Sequence, residues 1–147
     1  MKIITLWQPW ATFIALNLKQ FETRSWGTRY RGKLAIHAAK RTIGLDGQAI
    51  VSQVNDLTGD KVPRKPCDYP LGCIVAIADL VDCPQMDSRL IDTQTELELA
   101  VGCWQPGRFA WQLGNIVALP DPSPYRGGQG LRDVRSETLK ILMEQKT

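Results

Sequence analysis

Residues 6–26 read LWQPWATFIALNLKQFETRSW, and the changes of period inside this stretch decide what fold the chain can adopt. Just before it, Ile3, Ile4, Leu6 and Trp7 make Lys2–Trp7 a short buried strand. Pro9 suits the first turn of a helix, where its missing N–H costs nothing. Trp10, Phe13, Ile14 and Asn17 then recur at i, i+3, i+4 and i+7, which predicts a helix over 9–17. Asn17 fits the end of that helix, because asparagine tolerates the left-handed backbone. Over 18–26 a strand is expected, and its period of two puts Glu22, Arg24 and Trp26 on one side and Phe21, Thr23 and Ser25 on the other.

Working outward, GTRYRG (27–32) has turn character, and LAIHAA (34–39) is apolar enough to be buried on both faces. A helix is expected over 46–55, then a proline-punctuated loop over 58–70. GCIVAIADLV (72–81) is the most strand-like run and is expected at the centre of the sheet. Residues 84–106 form a polar excursion with a short helix near 95–101, and RFAWQLGNIVAL (108–119) gives one or two strands interrupted at Gly114-Asn115. Pro120, Pro122 and Pro124 predict a stiff extended connector. YRGGQG (125–130) is a glycine-rich turn, and 136–145 a terminal helix with Leu139, Ile141 and Leu142 inward. This order is that of a mainly β (α+β) protein, a β-barrel with peripheral helices, and not of regular βαβ winding. Trp7, Trp10 and Trp111 are expected in or near the core; Trp26 and Trp104 are less constrained.

The 147 residues make one domain, and a hydrophobic share of 44% is enough for a core without disulfide or metal staples. No apolar run approaches the ~20 residues of a membrane span, and MKIITLWQPW lacks the pattern of a secretory leader. Cys67, Cys73, Cys83 and Cys103 include no C-x-x-C pair, so reduced thiols in a cytoplasmic protein are expected. The single histidine, His37, excludes sites built from several imidazoles, and no metal or cofactor is expected. Inside LAIHAA it reads either as a buried histidine satisfied by backbone or as a cleft residue. The net charge of +3 hides an asymmetry. Residues 1–45 carry eight Lys or Arg against the single acid Glu22, whereas 46–147 carry ten against fourteen. A basic sector in the first third attracts polyanions and weakens with salt.

The residues that could carry chemistry are Lys19, Glu22 and Arg24. Their spacing sets a lysine at the helix-to-strand junction and a carboxylate and guanidinium on one strand face. Glutamate can accept from the exocyclic amine of a base, arginine and lysine can take phosphate or carbonyl oxygens, and Trp26 could stack on an unpaired base. Spacing alone equally fits a surface ion pair of little energetic weight.

The blocks LWQPWATFIALNLKQFETRSW, YRGKLAIHAAK, PLGCIVAIADLVDC, GRFAWQL and PSPYRGGQGL together resemble the ASCH-domain family of the PUA-like superfamily. They span residues 1–131, leaving 132–147 as a C-terminal helical appendage. The family signature G-x-K-x-x-E-x-R falls on Lys19, Glu22 and Arg24, with Asn17 in place of its glycine. The resemblance implies a small β-barrel with a cleft beside the first helix, lined by the signature, and a role in binding RNA, expected single-stranded, or a nucleoside or nucleotide. Gln8 and Lys40 are further cleft candidates. Tyr125 and Arg126 lie in a turn whose glycine N–H groups could meet an anion or simply close a hairpin. One branch of the family deacetylates N4-acetylcytidine with a lysine and a nearby threonine. Lys19 matches that lysine, while Glu22 stands at the threonine position and Thr23 is expected on the opposite face. A few bacterial members are proposed ribonucleases, for which Lys19 and Glu22 would be the catalytic pair. A protein-interaction module with a basic face is the remaining alternative.

Overall fold

A computed structural model of the chain describes residues 1–146. Six strands, β1 (Lys2–Leu6), β2 (Phe21–Arg24), β3 (Gly32–Ala38), β4 (Cys73–Asp82), β5 (Phe109–Pro124) and β6 (Arg132–Asp133), form one curled sheet in the order β2-β5-β4-β3-β1-β6. Every neighbouring pair is antiparallel except β1 and β3. The helices α1 (Trp10–Ala15), α2 (Leu45–Thr58), α3 (Ser88–Asp92), α4 (Glu96–Val101) and α5 (Ser136–Lys146) pack around it. The sheet is a half-barrel in a mixed α+β fold, where the sequence led to a β-barrel with peripheral helices, and β4 lies inside the sheet as its apolar run requires.

Alternation along the strands divides the core. Ile4, Leu6, Leu34, Ile36 and Trp111 pack with Ile14 of α1 on one face. Ile3, Ala35, Ile74, Ile77 and Leu119 pack with Leu142 of α5 on the other. A third cluster, which includes Phe13, Val51, Val54 and Val101, joins α1, α2 and α4 into a helical layer. His37, within β3, is buried between the faces: Nε2 donates to the Tyr125 carbonyl at 2.7 Å, and Nδ1 lies 3.2 Å from the Thr5 hydroxyl. Burial lowers its pKa, so the neutral ring fills a structural role.

Several expectations need correction. The three prolines do not form a free connector, because β5 runs on to Pro124. Pro120 and Pro122 fall where the β4–β5 register shifts, between the pairs Ala76–Ala118 and Ile74–Ser123, so no ladder bond is demanded of them. Gly114-Asn115 likewise bends β5 rather than ending it, with Asn115 at φ 47°. On α5, Thr138 and Leu142 are the buried i, i+4 pair, and Ile141 faces solvent. Trp7 lies just beyond β1 and is 55% exposed rather than core. Beyond Leu131, β6 pairs with β1, and Leu142 of α5 is fully buried.

The turn from α1 into β2 positions the site. Asn17 sits at φ 62°, and the Leu18 and Lys19 N–H groups both donate to the Phe13 carbonyl, which folds the chain back under α1. A β-branched residue at this φ costs about 1–2 kcal/mol, which asparagine and glycine largely avoid. Asn17→Val is therefore expected to lower the unfolding free energy by about that amount, whereas Asn17→Gly should hold or raise it. Urea unfolding checks this, and equal effects from the two substitutions would contradict it.

Candidate functional site

β2 is the first strand of the sheet and pairs only with β5, placing Glu22 opposite Trp111 and Arg24 opposite Phe109. Its other edge faces the chain that leaves α4. Here Cys103 N–H donates to the Thr23 hydroxyl at 2.9 Å, and Lys19 Nζ donates to the Val101 carbonyl at 3.0 Å. Gly102 makes this approach possible, because a Cβ there would lie 2.7 Å from the Trp104 indole nitrogen and 3.1 Å from the Thr23 methyl. Between β2, the end of β1, α1 and the end of α4 lies a cavity of about 550 Å³, within the range of small-molecule sites. Its walls include Lys19, Glu22 and Arg24, with Trp7 and Trp10 on the α1 side and Cys103 on the α4 side.

Glu22 is the hinge of the constellation. One carboxylate oxygen accepts from Arg24 Nε at 3.0 Å, and the other accepts from the Thr23 N–H and stands 3.8 Å from Lys19 Nζ. Arg24 Nη2 also donates to the Thr5 carbonyl of β1, fixing the guanidinium across the mouth of the half-barrel. Lys19 is 1% exposed, and burial lowers its pKa against the opposing pull of Glu22 and Glu98. It forms part of the floor, while the partly exposed Arg24 is the reachable cation.

Glu98, absent from the sequence expectations, completes the rear of the site. It is 7% exposed, and its Oε2 accepts from the Gln20 N–H at 2.7 Å, clamping α4 to the start of β2. Burial raises the carboxyl pKa above its ordinary 4.5, against the opposing pull of the Gln20 N–H and of Lys19.

The remaining sequence candidates lie elsewhere. Trp26 does not border the cavity: its ring meets Trp111 edge-on at 4.9 Å, and its carbonyl accepts from the Trp111 indole. Gln8 is buried and structural, with Oε1 accepting from the Thr12 N–H and Nε2 donating to the Pro70 carbonyl. Lys40 is exposed and lies along Gly72. Tyr125 is buried, its hydroxyl accepting from the Arg135 N–H, and Arg126 is exposed on the loop beyond. Thr23, expected on the opposite face, also borders the cavity. Trp7 and Trp10 supply the indoles that Trp26 does not. The WQPW motif was the available signal for them, whereas nothing in the sequence announces that Val101–Cys103 meet β2.

A profile of the ASCH domain matches residues 4–123. The chain belongs to the ASCH domain family. Activating signal cointegrator 1 of Homo sapiens and that of Mus musculus are each 37% identical to it over 81 residues. That stretch is 54% of this chain but only 14% of either relative, so the chain matches a small part of those proteins. The crystal structure of ASCH from Zymomonas mobilis superposes with a TM-score of 0.59 at 15% identity, covering 97% of this chain and 93% of that one. A mutant of the same protein gives the same TM-score and identity with 96% of its chain covered. At that identity the likeness speaks for the ASCH fold. No helix among the described residues is long and apolar enough to cross a membrane.

The raised Glu98 pKa has a definite sign in the stability. Between 4.5 and its higher native value the folded protein binds the proton that the unfolded chain has released. Glu98 therefore favours the fold most below pH 4.5, and that contribution declines as pH rises through the native pKa. Glu98→Gln keeps an acceptor for Gln20 but cannot ionise. The unfolding free energy of the unsubstituted protein minus that of the variant should fall as pH is raised from 4, and a difference independent of pH would contradict the assignment.

Proposed function

We propose that this ASCH protein binds single-stranded RNA or a nucleotide by seating one unpaired base in the cavity beside β2. The observation that carries the reading is the convergence of Lys19, Glu22 and Arg24 with two indoles around one space of nucleoside size. A site for free phosphate would have uncompensated cations. Here Glu22 already lies between both cations, so neither positive charge stands uncompensated. Such a site suits a neutral, flat ligand with donors and acceptors on its edge. Glu22 keeps lone pairs for a base amine, Arg24 keeps N–H groups for a carbonyl, and Trp7 or Trp10 offers a stacking face. Phosphates flanking the base would meet the basic sector of the first 45 residues at longer range.

Binding of fluorescent single-stranded RNA is therefore expected in low salt and should weaken as salt rises. Arg24→Ala should reduce it about tenfold or more, while Arg135→Ala, whose guanidinium lies over the Tyr125 ring, should change it less than about twofold. Circular dichroism verifies that both variants are folded. Equal losses from the two would remove the assignment to the cavity.

A second reading rests on a different observation. Lys19 is a desolvated amine with a lowered pKa, and Thr23 borders the same cavity, its hydroxyl accepting from Cys103 and so free to donate its own proton. A lysine and a threonine on one cavity suit hydrolysis of an acylated nucleoside amide, in which water cleaves the C–N bond and releases carboxylate and amine. On this reading N4-acetylcytidine is converted to cytidine and acetate, and Lys19→Ala abolishes the conversion. Chromatography that finds no cytidine above the level of that variant would exclude the hydrolase.

A further inference from the structure

Behind Trp7 and Trp10 lies a second cavity of about 250 Å³, bounded also by Arg41 and by the first turn of α2, including Asp46. Both indoles border both cavities, so the two spaces are neighbours separated by an aromatic ridge. Trp7 is the more unusual member. It follows directly on a buried strand, yet more than half of its surface is exposed, and its ring carries the Arg41 guanidinium at 3.7 Å from the centroid. A guanidinium held this close over an indole can offer its outer side to a further ring, and bases stack on arginine planes as they do on aromatic rings. Arg41 makes no ion pair among the described residues, so its outer face is not committed to a carboxylate. Asp46, an exposed residue, lines the same space, and its carboxylate is an acceptor of the kind a base amine needs.

We infer that the two cavities are consecutive base sites and that the ligand is a single-stranded oligonucleotide of at least two residues straddling the Trp7–Trp10 ridge. This rests on the reading of the first cavity as a base site and extends it: the substrate class is a polynucleotide chain and not a free nucleoside. The second base lies on the Arg41 plane, itself stacked on Trp7, with its amine toward Asp46. Cytosine, adenine and guanine carry such an amine, and uracil does not.

Calorimetric or fluorescence titration with the four ribonucleoside 5′-monophosphates and the sixteen ribodinucleotides tests this on the full chain. The best dinucleotide should bind about tenfold or more tightly than either of its component monophosphates, in line with one added stacked base. Arg41→Ala should bring that ratio close to one. Arg41→Lys, which keeps the charge but not the plane, should restore less than half of the loss on a logarithmic scale. Asp46→Asn should weaken the preference for an amine-bearing second base over uracil. Monophosphates that bind as tightly as every dinucleotide would overturn the two-site inference and leave the first base site standing. Full recovery in Arg41→Lys would also overturn it, by reducing Arg41 to a charge. Failure of every monophosphate and every dinucleotide to bind would bring down the base-binding reading of the first cavity, and this inference with it.

Discussion

Arg24 connects two strands that lie four places apart in the sheet. Its Nη2 donates to the Thr5 carbonyl of β1 while its Nε holds Glu22, its neighbour on β2. Since β5, β4 and β3 intervene between those strands, this contact is possible only because the sheet curls until β2 and β1 face each other. The space enclosed there is the cavity, and the ions that form its wall are the ones that hold its width. Lys19 extends the tie to the helical layer through the Val101 carbonyl. One carboxylate between two cations thus fixes β1, β2 and α4 relative to one another.

Taking Lys19 and Glu22 out of water is costly, and their separation of 3.8 Å alone would return only part of that cost. The arrangement survives because every member has further partners: the Val101 carbonyl for Lys19, the Thr23 N–H for Glu22, and the Thr5 carbonyl for Arg24. Such a network is more valuable for its fixed geometry than for net stability. Groups held at set positions before a ligand arrives lose little conformational freedom when it binds. Glu98 stands apart, since burial raises its pKa although the Gln20 N–H and Lys19 pull the other way.

The sequence made the signature residues legible and the surrounding walls largely invisible, for a physical reason. Lys19, Glu22 and Arg24 are local neighbours whose approach follows from one turn and one short strand, and Asn17 at positive φ marks that turn plainly. The buried strands β3 and β4 were equally readable, because their apolar runs leave no solvent face. By contrast, Glu98, Val101 and Cys103 meet β2 across some eighty residues of chain, and no local pattern encodes that contact. The tryptophans show the limit of reading burial from residue type. Trp7 and Trp26 belong to the same stretch, yet Trp7 extends beyond β1 to the cavity rim while Trp26 folds against Trp111. Strict alternation did not reveal that Thr23 also borders the cavity.

The most direct test of the account is where a ligand first perturbs the protein. Titration of isotopically labelled protein with a short single-stranded RNA, followed by amide and indole chemical shifts, reads this residue by residue. The account predicts the largest shifts at the Trp7 and Trp10 indoles and at the amides of Thr5, Thr23 and Cys103. Shifts confined to the exposed arginines of 29–31 or to the glycine loop of 127–130, with the indoles unmoved, would contradict it.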